Sequence, residues 1–454
     1  EAPWPHLEKL ETETEAAGRH LRQRLAIGPA FVRDVTRWAD PALQTAIRRS
    51  VDTRGLVREN SWHPGAGDEA PELMASIITG RDPQIAISLG LVEQGEELGK
   101  AQIARLFTAE GRDFDHVRAF ADELREDRAG EEITHVVNRN INYTNICLYR
   151  CGFCAFSKGS TRSERGPAYN IDHEEIARRT VEAWERGASE VCLQGGIHPS
   201  YDGHTYRGIV EAVKAAVPQM HVHAFSPLEV HHGATTLGLS YEDYLADLKE
   251  AGLATLPGTA AEILSDDIRA IICADKVNTQ EWLSVMRAAH KVGLPSTATI
   301  MFGHVETYDH WAEHLLQLRM LQQETGGFTE FVPLPFVHME APNWRRGETR
   351  SGPTWRETVL MHAVSRIALD GAISNIQTSW VKLGPDGAAA MLQSGANDLG
   401  GTLMDESITR AAGGVNGQIF DVPQMQLLAD TLGRPLRERS TVYGQRSGQL
   451  VLAD

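Results

Sequence analysis

From about residue 133 onward, short apolar, β-prone segments alternate with longer segments of helical periodicity. A repeated β/α pattern with buried strands gives either a doubly wound parallel sheet or a (β/α)8 barrel. Eight candidate strands can be placed, at residues 134–141, 190–196, 221–226, 254–258, 296–303, 329–336, 374–380 and 398–404. Eight units over roughly 300 residues favour the TIM-type barrel, in which chemistry lies at the C-terminal ends of the strands.

The chain before this repeat has a different character. Residues 1–60 have the composition and apolar spacing of helices, and Asp40-Pro41 is a good helix start. Residues 61–72 contain two prolines, two glycines and three acidic residues, which is typical of a linker. We therefore predict an α/β chain with N-terminal helices over 1–60, a linker over 61–85, a helical lead-in over 86–132, the barrel over 133–440 and a C-terminal tail over 441–454.

The formal net charge of −17 argues against a nucleic-acid or anionic-membrane partner, because both favour a basic surface. No apolar run approaches the roughly 18 residues of a membrane helix, and the acidic start EAPWPHLEKLETE does not read as a signal peptide. Two of the five cysteines, Cys192 and Cys273, stand alone in apolar runs and are expected to be small buried side chains. With no disulfide framework, the expected location is the reducing cytoplasm.

The other three cysteines lie in NICLYRCGFCAF, directly after the first candidate strand, with the spacing C-x3-C-x2-C. A structural zinc site needs a fourth ligand, and the next histidine, His173, is far from the usual spacing. A redox C-x-x-C pair leaves Cys147 unexplained, and three buried free thiols are not expected so close together. An iron–sulfur cluster is favoured, in which Cys147, Cys151 and Cys154 bind three irons of a 4Fe-4S cube and the fourth iron stays open.

This cysteine pattern, with the aromatic Phe153 before the last cysteine, resembles that of the radical S-adenosylmethionine (SAM) enzymes. The resemblance implies that the open iron binds the amino and carboxylate groups of SAM. It also implies that one electron from the reduced cluster cleaves SAM to methionine and a 5′-deoxyadenosyl radical. A dry barrel interior suits this chemistry, because such a radical must be kept from water. Phe153 is expected beside the cofactor.

Gln194-Gly195-Gly196 ends the second candidate strand, where the lack of bulky side chains lets a ligand approach the backbone. A plain Gly-Gly turn is the alternative. The resemblance to radical SAM enzymes implies that this segment binds the amino group of SAM.

His221 and His223 are two residues apart, so a strand places both on one face. They are either metal ligands or hydrogen-bonded barrel histidines, and the second interpretation is favoured. Ser226 and Glu229 follow the end of the same strand, where they are expected to reach SAM or the substrate.

Three further residues at strand ends are candidates for catalysis. Glu262 follows the fourth strand, and His304 and Glu306 follow the fifth. A carboxylate that merely begins a helix is the alternative for both glutamates. The later strands add the polar residues Gln377, Lys382, Asn397 and Asp398, which fall at strand ends or beginnings.

Several longer segments narrow the resemblance to one family. VVNRNINYTNICLYRCGFCAF, CLQGGIHP, HVHAFSPLEV, ATIMFGHVE and GANDLGGTLMDESITRAAG together resemble the tyrosine-using, CofH-type half of FO synthase. FO is the deazaflavin chromophore of coenzyme F420. The resemblance covers roughly residues 86–440, and the one departure noticed is Ala274, where the family is expected to have proline.

The N-terminal segment resembles a different part of the same system. WPHLEKLETETEAAGRHLRQRLAIGPAFV is similar to the C-terminal tail of the CofG-type half, which closes the deazaflavin ring. Some FO synthases carry both halves in one polypeptide. We therefore expect this chain to be the C-terminal half of such a fusion, which would account for the first residue being Glu rather than Met.

The family resemblance implies a reaction with two substrates. L-Tyrosine is cleaved between Cα and Cβ, and its 4-hydroxybenzyl group joins 5-amino-6-(D-ribitylamino)uracil, with SAM as co-substrate and a ferredoxin or flavodoxin as electron donor. Two other hypotheses remain: a related radical SAM enzyme of the futalosine route to menaquinone, and a non-enzymatic iron–sulfur or zinc scaffold.

Overall fold

Parallel strands form the centre of the molecule. The structure is a computed structural model that describes residues 6–67, 69–73, 80–158 and 167–444. The first barrel position is shared by two short strands that are separated at Val137. The strands are β1 (Ile133–Val136), β2 (Asn138–Ile141), β3 (Glu190–Leu193), β4 (His221–Ala224), β5 (Ser296–Phe302), β6 (Phe328–Pro335), β7 (Asp398–Gly401) and β8 (Leu436–Glu438).

The strands close into a complete parallel barrel. Three ladders join neighbouring strands, β2–β3–β4, β5–β6 and β7–β1. Isolated parallel bridges fill the fourth and seventh positions, and they are His223–Thr255, Leu256–Ser296, Phe331–Ile376 and Gln377–Asp398. The fourth position is short because Pro257 has no backbone N–H for the ladder. All eight predicted strand segments therefore contribute to the barrel, and the (β/α)8 prediction is confirmed.

Helices precede and surround this barrel. Most of those between consecutive strand positions pack on its outside, as βα units require. The helices are α1 (Leu7–Ala16), α2 (Pro29–Val32), α3 (Val35–Trp38), α4 (Pro41–Arg49), α5 (Pro83–Glu93), α6 (Lys100–Leu106), α7 (Arg112–Ala129), α8 (His173–Glu185), α9 (Gly203–Ala216), α10 (Pro227–Leu237), α11 (Tyr241–Ala251), α12 (Asp266–Ile272), α13 (Thr279–Lys291), α14 (Tyr308–Thr325), α15 (Pro342–Arg345), α16 (Trp355–Ala368), α17 (Trp380–Leu392, interrupted at Gly384), α18 (Ile408–Ala411) and α19 (Val422–Thr431).

The barrel strands alternate between an apolar outer face and a polar inner face. On β3, Val191 and Leu193 are fully buried in an apolar core shared with the surrounding helices. Glu190 and Cys192 on the same strand face the barrel interior. Successive side chains of a strand point to opposite faces, so one short strand supplies both the core and the interior.

The N-terminal segment packs on the barrel. The main-chain N–H of Thr53 donates to Glu357 Oε1 on α16 at 2.8 Å, and Arg350 Nη1 lies 3.2 Å from Glu357 Oε2. Burial tends to raise the pKa of Glu357, but Arg350 and Arg356 outweigh it and hold the pKa well below its usual range. A buried carboxylate kept charged in this way ties residues 51–58 to the barrel rather than leaving them as a free extension.

The segment predicted as a linker is partly described. Trp62 is 4% exposed, and the N–H of Gly65 donates to the carbonyl of Lys382 at 2.7 Å, so residues 61–67 also lie against the barrel. Helix α5 begins at Pro83, within the predicted linker. Asp68 and residues 74–79 lie outside the described residues.

The C-terminal strand closes the N-terminal end of the barrel. Strand β8 pairs in parallel with β1, and Arg439 follows it into the interior. Arg439 donates to Asp398 at 2.9 Å and to Glu330 at 3.0 Å, while Thr441 Oγ1 donates to Glu190 at 2.6 Å. The predicted C-terminal tail thus begins in the barrel floor, and its residues 445–454 lie outside the described residues.

Candidate active site

The cysteine loop lies at the C-terminal end of the first barrel position, between β2 and α8. The connection between α12 and α13 holds it in place: Gly152 N–H donates to the Ile272 carbonyl at 2.8 Å, and Arg150 N–H donates to Asp275 Oδ2 at 2.9 Å. These contacts join segments that are more than a hundred residues apart in the chain. The position of the loop is therefore set by tertiary packing and not by the loop alone.

The three thiols are half-buried, and two of them accept hydrogen bonds from backbone N–H groups. Cys147 Sγ accepts from the N–H of Ile197 at 3.3 Å, and Cys154 Sγ accepts from the N–H of Ser157 at 3.4 Å. Burial raises the pKa of Cys151 and of Cys154, while Lys276 opposes the rise at both. The donors and the cation favour the thiolate form, but burial outweighs them in the pKa of Cys151 and of Cys154.

Within the described ranges, no three His, Cys, Asp or Glu side chains gather around a point as ligands of a single ion do. A 4Fe-4S cube does not need such convergence, because each thiolate binds a different iron. Three half-buried thiols on one packed loop, with backbone donors to two of the sulfurs, fit such a cluster.

The end of β3 has space for glycine alone. A Cβ atom on Gly196 would lie 2.2 Å from the Ile146 carbonyl oxygen and 3.0 Å from Cys147 Cβ. A Cβ atom on Gly195 would lie 2.4 Å from the ring of Tyr143. The two glycines therefore let the strand end pack directly on the cysteine loop, which gives this segment a positional link to the thiols.

Ser226 and Glu229 form a capping box at the start of α10. Glu229 Oε2 accepts from Ser226 Oγ at 2.5 Å, and Oε1 accepts from the N–H of Gly195 at 3.2 Å and from the hydroxyl of Tyr143. Burial raises the pKa of Glu229, and these donors oppose the rise. Both carboxylate oxygens are occupied by protein groups, so in this structure Glu229 positions the Gly195 strand end. Its contact with SAM stays a prediction.

The barrel encloses a cavity of about 180 Å³. Polar and apolar side chains both form its wall. Gln194 lines it at the upper end, where its Nε2 donates to Thr259 Oγ1 at 3.2 Å. Cys192 lines it as well, so this residue is a wall of the interior and not the small core side chain that the sequence indicated. Cys273 is buried as expected.

The two histidines of β4 share one partner. His221 Nε2 and His223 Nδ1 each lie 2.8 Å from Thr255 Oγ1. Burial lowers the pKa of both rings. Because the shared hydroxyl accounts for both histidines, the hydrogen-bonded interpretation holds for them.

Glu262 lies beside the cysteine loop. Its Oε1 is 2.7 Å from Lys276 Nζ, and that ammonium lies 5.6 Å from the centre of the Phe153 ring. Burial alone lowers the pKa of Lys276, but Glu262 and the nearby Cys151 outweigh it and raise the pKa. The Glu262–Lys276 ion pair therefore holds a buried ammonium group next to the proposed cluster ligands.

His304 and Glu306 lie away from the barrel cavity. Glu306 is fully buried and accepts from the N–H groups of His304 at 3.0 Å and Val305 at 2.9 Å and from the indole of Trp311 at 2.9 Å. The His304 ring packs edge-on against Phe336, and neither of its nitrogens has a hydrogen-bond partner among the described residues. Both residues face a second cavity of about 210 Å³ whose other wall is the N-terminal segment. The geometry gives Glu306 the role of holding the turn after β5.

Sequence reasoning missed three residues of this region: Tyr143, Lys276 and Asn140. Tyr143 anchors Glu229, Lys276 pairs with Glu262, and Asn140 lines the cavity. The motif SPLE at Ser226–Glu229 has the sequence pattern of a capping box, and this pattern could have indicated the structural role of Glu229. The position of Asn140 could also have been predicted from the sequence, because residues 136, 138 and 140 alternate along the first strand and share its inner face.

Solved structures of other proteins share the barrel fold of this chain. Methylornithine synthase (PylB) is 18% identical, with a TM-score of 0.59 over 77% of this chain and 97% of that one. The FeFe-hydrogenase maturase HydG from Carboxydothermus hydrogenoformans is 13% identical, with a TM-score of 0.59 over 80% of this chain and 81% of that one. At these identities the likeness concerns the barrel fold alone.

Two family descriptions match consecutive parts of the chain. Residues 141–318 match the Radical SAM superfamily, and residues 325–447 match the CofH/MqnC C-terminal region. The first range contains the cysteine loop, the glycine pair and Lys276. The fold and this site define a radical SAM protein, and enzymes of that superfamily use a 4Fe-4S cluster and SAM.

A relative from Methanocaldococcus jannaschii, named 5-amino-6-(D-ribitylamino)uracil–L-tyrosine 4-hydroxyphenyl transferase, is 46% identical over 77% of this chain and 97% of its own length. The chain belongs to that transferase family. FO synthases of Nocardia farcinica and Streptomyces coelicolor are each 42% identical over 98% of this chain. The chain spans 57% and 56% of their lengths.

Proposed function

We propose that this chain cleaves L-tyrosine and transfers its 4-hydroxybenzyl group to C5 of 5-amino-6-(D-ribitylamino)uracil, a step in the synthesis of FO and coenzyme F420. The observation that carries the proposal is the 46% identity to the methanogen transferase over 97% of that protein. In the overall reaction the Cα–Cβ bond of tyrosine breaks, a carbon–carbon bond forms at C5 of the uracil, and 2-iminoacetate leaves. SAM would be consumed to methionine and 5′-deoxyadenosine, which takes up one hydrogen of tyrosine, and the second hydrogen would leave as a proton and one electron.

Cys147, Cys151 and Cys154 are the proposed ligands of the 4Fe-4S cluster. Their loop faces the C-terminal mouth of the barrel, where this fold places its chemistry. When bound, the cluster and SAM supply the 5′-deoxyadenosyl radical that begins the reaction. Phe153, Gln194, Gly195 and Gly196 border this position and are the proposed neighbours of SAM.

The side chains of this chain hold and enclose the reactants. The Tyr143–Glu229–Ser226 network fixes the Gly195 strand end, and the α12–α13 connection fixes the cysteine loop. Arg439, which is hydrogen-bonded to Asp398, closes the barrel below the cavity. Such pre-organisation keeps a reactive intermediate in contact with its intended partner.

The proposed protein partners rest on the family and on the greater length of the related FO synthases. We propose that a CofG-type half, fused or separate, cyclises the adduct to FO, and that a ferredoxin or flavodoxin supplies the electron. Among the helices of the described residues, none combines the length and apolarity of a membrane-spanning segment. The proposed location is the cytoplasm.

The relatives do not support the futalosine alternative. The matches at 40–46% identity are named FO synthase or the tyrosine transferase. Membership of an enzyme family likewise leaves no support for a non-enzymatic scaffold.

The test is an anaerobic assay of the reconstituted protein with SAM, dithionite, tyrosine and the ribitylaminouracil. We expect iron and sulfide near four atoms of each per chain, as a cube requires, and formation of 5′-deoxyadenosine that depends on tyrosine. A cluster-loaded sample that forms no tyrosine-dependent 5′-deoxyadenosine overturns the proposal. A futalosine-type substrate serves as the negative control.

A further inference from the structure

The charged side chains at the floor of the barrel cavity have hydrogen-bond partners within the protein. Glu190 accepts from Asn138 Nδ2 at 2.8 Å and from Thr441 Oγ1 at 2.6 Å. Glu330 accepts from Arg439 at 3.0 Å. Because protein partners already occupy these charged groups, the floor offers little for the charges of a zwitterionic ligand.

Above the floor the cavity wall has unused neutral polar groups. Asn140 Oδ1 and Thr378 Oγ1 are buried without a hydrogen-bond partner among the described residues. The side-chain amide of Gln377 also lines the cavity. A Cβ atom on Gly400 would lie 1.6 Å from Gln377 Nε2, so this glycine makes the space in which the amide lies against the wall.

Two side-chain amides are suited to a pyrimidine ring. Each primary amide presents a donor and an acceptor side by side. The imide edge of a uracil also alternates acceptor, donor and acceptor, so an amide can form a paired contact with it, as amides do with bases. Free tyrosine instead needs partners for an ammonium and a carboxylate, and the unused groups here are neutral.

We propose that Asn140 and Gln377 bind the pyrimidine ring of 5-amino-6-(D-ribitylamino)uracil inside the barrel cavity. This assignment rests on the proposed function and names the residues that select its acceptor substrate. Asn140 is on the first barrel strand, which leads directly into the cysteine loop. The ring is therefore held at the end of the cavity nearest the proposed radical source.

The experiment measures binding and not turnover. Protein with a reconstituted cluster and no reductant is titrated anaerobically with the ribitylaminouracil, and separately with tyrosine, by calorimetry. Asn140→Leu and Gln377→Leu remove each amide at similar size. Gln393→Leu, at an exposed position, is the matched control for the loss of an amide.

We expect each cavity variant to weaken uracil binding about tenfold, the scale of one or two lost hydrogen bonds, with tyrosine affinity within twofold and the control unchanged. If a leucine variant does not fold, the near-isosteric Asn140→Asp and Gln377→Glu remove the amide donors and the same selective loss is expected. Unchanged uracil affinity in the folded cavity variants overturns the assignment, and so does a loss confined to tyrosine.

The two proposals fail differently. Wild-type protein that forms the tyrosine–uracil adduct while the cavity variants keep full uracil affinity overturns only the roles of Asn140 and Gln377. Wild-type protein that carries its cluster but neither binds the uracil nor forms the adduct overturns the proposed function and this assignment with it.

Discussion

Polar side chains at the strand ends divide into those that hold backbone and those that stay open to the cavity. Glu306 and Glu229 accept from backbone N–H groups and have little capacity left for a ligand. Asn140 and Gln377 line the cavity, and Asn140 Oδ1 has no hydrogen-bond partner among the described residues. Burial of a residue at the active end of the barrel is thus no guide to its chemistry, whereas its hydrogen-bond partners are.

At the cysteine loop, we predict that Cys147→Ala, Cys151→Ala and Cys154→Ala each abolish cluster binding and turnover with little loss of barrel stability. The thiols are half-buried on a loop, and Cys147 and Cys151 pack only at the edge of the apolar core. The check is the melting temperature of each apo variant beside apo wild type, together with iron content. A large drop in the melting temperature of the apo variants would contradict this view of the loop.

For Glu306, the expected effect is on stability. Glu306→Gln replaces an acceptor with a donor opposite backbone N–H groups, so the free energy of unfolding should fall by about 3 kcal/mol. Glu324→Gln, which removes an exposed ion pair with Arg287, is the control and should leave stability unchanged. A Glu306→Gln protein of wild-type stability that has lost turnover would instead assign Glu306 a catalytic role.

At the scale of elements, the barrel strands act through where they end. The end of β3 packs on the cysteine loop through two glycines, and β8 closes the opposite end with Arg439 against Asp398. The connection between α12 and α13, more than a hundred residues further along the chain, also contacts the cysteine loop. Contacts between the loops that follow the strands therefore form the active end of the barrel. The strand pairing sets only where those loops begin.

Gly196→Ala tests the contact between β3 and the cysteine loop. The added Cβ would lie 2.2 Å from the Ile146 carbonyl oxygen, so either the strand end or the loop must move. We predict a clear loss of cluster content after reconstitution. Gly90→Ala, in helix α5 with no atom within 4 Å of its Cβ, should keep full cluster content and gain up to about 1 kcal/mol of stability. If Gly196→Ala keeps the wild-type cluster content, the close packing of β3 on the cysteine loop is not needed for cluster binding.

At the scale of the whole molecule, the β/α alternation was enough to predict the barrel, because each segment carried the periodicity of its own element. The cysteine spacing predicted the kind of site. Lys276 was beyond sequence reasoning, since only tertiary packing brings it beside Phe153 and Glu262. The unused amides of the cavity depend on which neighbours remain unpaired after folding, and a single sequence does not contain that information.

Acid should destabilise the folded chain. Burial lowers the pKa of eight histidines in the part of the chain that the structure describes. For five of them the pKa falls to about 4 (His223, His290 and His362) or to about 3 (His314 and His338). These rings stay neutral in the folded state, while the unfolded chain takes up protons below pH about 6.5. Glu330, whose pKa burial raises to about 7, titrates in the same pH range and contributes the opposite slope, which offsets only part of the effect of these five histidines.

We therefore predict that the free energy of unfolding falls by roughly 5 kcal/mol between pH 7.5 and 5.5, at about 1.4 kcal/mol per histidine less the share of Glu330. Denaturant titrations at a series of pH values measure it. His362→Gln removes one of the five groups and should give a shallower slope. Stability that rises on acidification would show that the buried histidines do not govern this range.

The central claim is that tyrosine is split and its hydroxybenzyl carbon is joined to the uracil by this chain. The most direct measurement is mass spectrometry and carbon-13 NMR of the anaerobic reaction with tyrosine labelled at its β carbon. The account predicts that the labelled carbon appears bonded to C5 of the ribitylaminouracil, with one 5′-deoxyadenosine formed per adduct and the unlabelled Cα in 2-iminoacetate or its hydrolysis product. Label that stays in intact tyrosine, or 5′-deoxyadenosine formed without any labelled adduct, would contradict it.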